Sequence, residues 1–406
     1  MESQPPPYTK TESERMPKIV VGIDFGTTFS GVAWALENRL DDVEVIQTWP
    51  GGGNSTSQKV PTVFNYCKGG IKWGYQAVDD STSIKGVKLL LDEKQKYHYG
   101  PSIEAKCLLK SMKKSAISAT GDYVGTLVAH AKNVLKRRFG SALQTMDLQF
   151  IMTVPAVWSD KAKDATMQAA CKAGISINDL FLVSEPEAAA LYAIRTIQPN
   201  TIAEGDCIIV CDAGGGIVDL ITYRIYQTEP LRLGEVTEGS GEVCGSVILD
   251  QRFEEFLASR IGESYKKLPR AARMSTLKHW QDYIKPHYQG PPGPEDFADM
   301  GYCIPIPGIA DKPKINLVGG FLHMDSNDVE AIFNPVLQQI QDLVTDQKLK
   351  AKIAGQITKA IVLVGGLGAS EYLCRRLQKA YSGVQVMQPQ NAWSAVARYG
   401  VLLDKS

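Results

Sequence analysis

Ile19-Val20-Val21-Gly22-Ile23-Asp24-Phe25-Gly26-Thr27-Thr28 and, 188 positions on from Asp24 to Asp212, Ile208-Ile209-Val210-Cys211-Asp212-Ala213-Gly214-Gly215-Gly216 read as two copies of one device. In each, an apolar run of strand character ends in Asp-x-Gly, followed by small residues and a second apolar run. Glycine after the acid permits a tight turn and lets a ligand approach the backbone. Small residues beyond it leave several N–H groups free to point into one hollow, which suits phosphate. Either turn alone is ordinary Asp-Gly turn chemistry. Two at matched places in two halves of a chain predict a nucleotide clamped between duplicated lobes.

The bulk properties leave room for that reading. A chain of 406 residues exceeds what one compact core supports, so two lobes are expected. Lysine plus arginine and aspartate plus glutamate number 44 each, which provides no basic field for a nucleic-acid backbone. No apolar run approaches the ~18 residues of a membrane span, and the polar start lacks a signal-peptide core. The eight cysteines include no Cys-x-x-Cys pair, and Cys207 and Cys211 fall on one predicted strand. At roughly 13 Å apart these two are too distant to bridge, so zinc and a disulfide framework are both poor readings. A cytoplasmic protein is expected, with the nucleus as the alternative.

Along the chain, residues 1–17 read as a disordered tail. Strands are expected at 18–25, 30–36, 148–154, 181–183 and 360–364. Helices are expected at 121–139, 159–173, 188–194, 248–261, 275–288, 329–345 and 392–403. Pro50-Gly51-Gly52-Gly53-Asn54 lacks a strand running in and a helix running out, and reads as a surface loop. Residues 286–313 carry seven prolines and read as an irregular flap or exposed insert. The domain reading is therefore lobe I at 18–204, lobe II at 205–391 with that insert, and a C-terminal helix at 392–406 returning to the junction. The five histidines show no ligand spacing.

Five segments, in order, resemble the nucleotide-binding half of the heat shock protein 70 family, within the actin-like ATPase superfamily. They are Gly22-Ile23-Asp24-Phe25-Gly26-Thr27-Thr28, Thr153-Val154-Pro155-Ala156, Ser184-Glu185-Pro186-Glu187-Ala188-Ala189-Ala190, Asp212-Ala213-Gly214-Gly215-Gly216 and Val364-Gly365-Gly366. Lys88-Leu89-Leu90-Leu91-Asp92 and Asn391-Ala392-Trp393-Ser394-Ala395 look like the divergent branch typified by heat shock 70 kDa protein 12A, which lacks the usual peptide-binding half. The resemblance implies an α/β actin-like ATPase with ribonuclease H-like duplicated lobes around a central nucleotide cleft, and no peptide-binding domain of its own.

It also implies roles. Gly26, Thr27 and Thr28 would hold the β- and γ-phosphates of ATP or ADP from one side, and Gly214, Gly215 and Gly216 from the other. Asp24 and Asp212 would hold Mg²⁺ through its waters, because that ion dehydrates reluctantly. Glu185 would accept from the attacking water, and Lys88 (Lys85 is its rival) would face the transferring phosphoryl group. Gly365 and Gly366 would let the backbone approach adenosine, with Asp282 and Lys285 near ribose and adenine. A chaperone-type ATPase of the stress response, acting with protein partners or co-chaperones, is implied.

Three departures weaken the implied activity. Ile217 stands where the family's second loop has a phosphate-contacting threonine. Leu367 and Ala369 replace a serine and an arginine beside adenine. Cys244 replaces a glycine near the ribose. A non-hydrolysing nucleotide-dependent scaffold is therefore the alternative, and a small-molecule kinase of the same superfamily a more distant one.

Overall fold

The computed structural model describes residues 18–39, 42–53, 56–78, 80, 82–92, 99–197, 201–228, 231–292 and 301–389. The tail expected at 1–17 and the helix expected at 392–403, with Trp393, lie outside the described residues.

Strands β1 (Ile19–Phe25) and β2 (Phe29–Leu36) form an antiparallel hairpin, and β3 (Glu44–Val45) and β4 (Lys59–Pro61) both add to β2. A small separate sheet follows, from β5 (Val63–Cys67), β6 (Gly70–Trp73) and β7 (Ile84–Lys85). Helices α1 (Gly100–Ser111) and α2 (Ala116–Phe139) lead to β8 (Leu148–Val154), α3 (Asp160–Lys172), β9 (Leu180–Ser184) and α4 (Glu185–Thr196). The second half opens with β10 (Cys207–Ala213), β11 (Val218–Thr228) and β12 (Leu231–Glu242). Next come α5 (Ser246–Ile261), α6 (Glu263–Lys266), α7 (Arg270–His279) and a small sheet of β13 (Tyr302–Pro305), β14 (Leu317–Val318) and β15 (Phe321–Met324). The long α8 (Ser326–Ile353), β16 (Thr358–Val364), α9 (Glu371–Ala380) and β17 (Gln385–Met387) complete it.

The two main sheets repeat one topology. Their orders are β3-β2-β1-β8-β9 and β12-β11-β10-β16-β17, each an antiparallel hairpin extended by parallel strands. The register repeats as well: Asp24 lies across from Gly31 and Phe25 from Ser30, as Asp212 lies across from Asp219 and Ala213 from Val218. Every residue of β1 and β10 is buried, as parallel-sheet strands covered on both faces must be.

One core joins the first sheet to α2 and α3, and another joins the second sheet to α5, α8 and α9. Helix α4 departs from the expected boundary between the halves. Although it follows β9, its residues Ala188, Leu191 and Ile194 pack with Ile208, Val210, Ala360 and Val362 of the second sheet.

Several expected elements differ in extent. Helix α2 begins at Ala116 rather than at 121, because the Ser115 hydroxyl accepts from Ser118 N–H and caps it. Helix α8 runs well past both expected ends, started by a reciprocal capping box between Asp325 and Asp328. The helix expected at 275–288 starts at Arg270 and then widens into a π-turn at Trp280–Ile284. The proline-rich flap needs correction. Tyr302-Cys303-Ile304-Pro305-Ile306 alternates with period two, forms β13, and places Ile304 and Ile306 in the second core. Residues 293–300 of that stretch lie outside the described residues.

Candidate active site

The first glycine loop is braced from below. Residue Thr62, just after β4, donates its N–H to Thr28 O and its hydroxyl to Gly26 O, both at 2.8 Å. The second loop is held by α5. N–H groups of Gly245, Ser246 and Val247 donate to the carbonyls of Gly216, Gly214 and Gly215 at 2.9–3.2 Å. Those bonds satisfy donors that a helix start leaves free, and they turn the loop carbonyls toward the helix. Among the described residues, no backbone hydrogen bond takes the N–H of Gly215 or Gly216. Cys244, expected to reshape the neighbourhood of the ribose, is buried in the second core; Gly245 keeps the close approach to the loop.

The two loops meet. A Cβ on Gly215 would collide with the Thr28 side chain, and one on Gly216 would lie 2.7 Å from Thr27 Cγ2. Both therefore need glycine, and the two phosphate-type turns converge from separate sheets on a single cleft of about 780 Å³.

Its floor is ionic. Asp24 and Asp212, from the matched ends of β1 and β10, both line it. Glu185, the first residue of α4, accepts from Lys88 Nζ at 2.6 Å. Lys88 stands on a 3₁₀ turn (Val87–Leu91) and is almost wholly buried, its ammonium 6.0 Å from the Phe25 ring centre and 5.6 Å from that of Trp158. Of the two lysines weighed for that place, the structure puts Lys88 on Glu185; Lys85, on β7, lines the same cleft.

Two floor residues were missed by the motifs. Lys59 Nζ donates to Asp24 Oδ2 at 2.7 Å. Asp219 Oδ2 accepts from Ala156 N–H at 2.6 Å, tying β11 to the segment after β8, while its Oδ1 is buried without a hydrogen-bond partner. Both look like ordinary strand residues in sequence. The only signal for Asp219 is an acid inside the apolar run Val218-Asp219-Leu220-Ile221.

Crowding perturbs these acids. Burial, and then the charges of Glu185 and Asp24, push the Asp212 carboxyl up to about 7 against the pull of Lys59 and Lys88. Burial raises Glu185 as well, with Lys88 opposing and Asp24 adding to the rise. Asp219 is pushed well above the usual carboxylate range by burial and by Glu185. Four carboxyl groups (Asp24, Glu185, Asp212, Asp219) thus face two ammonium groups (Lys59, Lys88). Burial works against ionising Glu185, Asp212 and Asp219 together. Among the described residues no cluster of three or more acids is set to hold a metal directly; the carboxyl donors of Asp24 and Asp212 suit a hard cation held through its waters.

The far end of the cleft is lined by the loop after β16 and by residues of α5 and the π-turn region. Gly365 sits at φ +84°, and a Cβ there would meet Asp212 and the Ala213 carbonyl. Leu367 and Gly368 donate their N–H groups to Ala213 O at 2.8 and 3.0 Å, while Gly366 and Ala369 line the cavity. Asp282 and Lys285 line it too, but each already holds a partner: Lys278 Nζ at 2.6 Å from Asp282, and Asp250 Oδ1 at 2.7 Å from Lys285. The π-turn sets Trp280, Gln281 and Lys285 together on the Asp250 carboxylate. Every sequence-derived site residue therefore lines this one cleft.

A duplicated sheet around a cleft with two facing glycine turns is the actin-like ATPase fold. Residues 20–273, more than half of the chain, match the family model described as Hsp70 protein, and the chain belongs to the heat shock protein 70 family. It is 25% identical to heat shock 70 kDa protein 12A of Homo sapiens over 469 aligned positions, which cover 95% of this chain and 69% of the relative. Heat shock 70 kDa protein 12B of Homo sapiens is 23% identical, with 99% and 71% covered. Chaperone protein DnaK of Thermotoga maritima is 25% identical, with 94% and 58% covered. These place the chain in the divergent 12A-like branch and make it homologous to the family's ATP-binding domain. No described helix is long and apolar enough to cross a membrane.

Proposed function

We propose that this chain binds Mg-ATP between its two halves and hydrolyses it slowly. The carrying observation is the meeting of two separately braced glycine turns in the one cleft that Asp24 and Asp212 also line. In this reading residues 26–28 and 215–216 offer N–H groups to the β- and γ-phosphates, while Gly214, whose N–H donates to Ile217 O, lines the pocket and closes the turn. Asp24 and Asp212 would hold Mg²⁺ through its waters, and the ion would supply countercharge to the phosphate oxygens. Glu185 orients the attacking water. Lys88 keeps that carboxyl in place and lends positive charge to the phosphoryl group. Gly365 and Gly366 admit the adenosine, with Asp282 and Lys285 at the rim.

Loss of the terminal phosphate would loosen the contact between halves, and protein partners or co-chaperones would sense the change. Bacterial relatives named as chaperones support chaperone work, here in the cytoplasm. Calorimetry with ATP, ADP and a non-hydrolysable analogue, with and without Mg²⁺, tests binding. Single-turnover hydrolysis then compares wild type with Glu185→Ala, and equal phosphate release from the two removes the catalytic role.

A second reading, a nucleotide-dependent scaffold without turnover, draws on Ile217. Its side chain lines the cleft where a hydroxyl would serve the terminal phosphate. That reading predicts a Mg-ATP-dependent thermal shift with no turnover above background.

A further inference from the structure

Lys59 reaches the cleft from β4, the strand that leads straight into the Thr62 brace of the first loop. Its side chain keeps 17% of its surface exposed, against 4% for Lys88. Lys88 is enclosed by Phe25, Trp158 and Glu185, whereas Lys59 borders the open cavity beside Gly26, Thr27 and Thr28. A lysine ammonium is a compact charge with three donors on a rotatable stem. One donor engages Asp24 Oδ2, which leaves two for an acceptor in the cavity.

Resting on the nucleotide reading above, we propose that Lys59 is a binding residue for the terminal phosphate of a nucleoside triphosphate. In the nucleotide-free cleft it holds the Asp24 carboxylate; when the triphosphate enters, its ammonium moves onto the γ-phosphate oxygens. Two observations favour the terminal phosphate over an inner one. Lys59 sits on the Asp24 carboxylate, in the cleft that Glu185 and Asp212 also line and where the phosphoryl group would leave. And Lys59 contacts the same carboxylate that the cation would use, so ammonium and cation compete for Asp24, while carboxylate and triphosphate compete for the ammonium. The role separates ATP from ADP, because ADP has no oxygen at that position.

The test is calorimetric binding of ATP and of ADP, each with EDTA and with Mg²⁺, to the full chain. With EDTA, Lys59→Met weakens ATP binding by roughly 10- to 100-fold, the worth of one charge-assisted hydrogen bond, and ADP binding by under about threefold. Asp24→Asn supplies an independent arm in which the lysine stays. Relieved of its carboxylate, the ammonium binds Mg²⁺-free ATP about three- to tenfold more tightly than in wild type. Equal losses for ATP and ADP in Lys59→Met, or no loss for either, overturn the assignment, as does unchanged Mg²⁺-free ATP affinity in Asp24→Asn. Failure of the wild type to bind either nucleotide overturns the nucleotide reading itself and this role with it.

Discussion

Across from Asp24 in the first half stands Gly31; across from Asp212 in the second stands Asp219. The hairpins share their register, their parallel neighbours and a glycine packed on the closing carbonyl of the turn, Gly26 on Phe29 O and Gly214 on Ile217 O. Their chemistry does not match. The first half brings both floor ammonium groups, Lys59 and Lys88, while the second brings two acids on facing strands. Duplication has preserved the backbone and divided the charges, so neither half alone can balance a metal triphosphate.

The backbone side of this comparison is the most severely testable. Gly26→Ala drives a Cβ into Phe29 O well inside contact distance, whereas Gly214→Ala meets Ile217 O at 3.0 Å. The first change should destabilise the fold by about 3 kcal/mol or more, the second by about 1 kcal/mol. Urea midpoints read both, and equal losses would mean that the two turns tolerate a side chain alike.

The helices behind the sheets offer the next contrast. Helix α2 backs the first sheet with an apolar face, including Leu127, Val128 and Leu135, whereas α8 buries a polar knot. There Gln347 accepts from Thr222 and Thr237 and donates to Glu238 O and Ser240 Oγ. Gln347→Leu should cost about 2–4 kcal/mol by stranding those groups, with thermal unfolding as the measure. A neutral outcome would make the two backing helices equivalent.

Asp219 is the residue that breaks the symmetry at the floor. Asp219→Asn keeps an acceptor for Ala156 N–H and removes a carboxyl that burial and Glu185 make costly to ionise. At neutral pH the nucleotide-free protein should therefore gain about 1–2 kcal/mol, a gain that fades below the ordinary carboxylate range. Its Mg²⁺-dependent gain in melting temperature should shrink at the same time. A destabilised variant would show that this charge is already balanced. Smallest of all, Ile217→Thr should raise single-turnover hydrolysis by about two- to tenfold, the equivalent of about 0.4–1.4 kcal/mol. No change would place the turnover limit elsewhere in the cleft.

The two halves differ also in how far they could be read from sequence. Asp24 and Asp212 were legible because a strand end, an acid and a run of small residues are all local. The Lys88–Glu185 pair spans 97 residues, and only the family resemblance brought its members together. Lys59 and Asp219 left little trace, since an ionisable residue on a strand gains meaning only from what the sheet places opposite it. The flap misreading has the same root: proline count masked the alternation at 302–306, and β13 is set in place by β15 and by α7, whose Thr276 hydroxyl donates to Pro305 O. The π-turn likewise arises where Trp280, Gln281 and Lys285 converge on Asp250, a residue 30 positions or more away.

Helix α4 has one more consequence. It leaves the first sheet at β9, whose last residue Ser184 still pairs with Val154, and its apolar side chains then enter the layer of the second, so Glu185 sits at the seam between the halves. Lys88 travels with the first. On the proposed reading, rotation of one half against the other would bear on the Lys88–Glu185 ion pair, which lies at that seam. A partner that grips the outer faces would then act on the water-facing carboxyl from a distance, without entering the cleft.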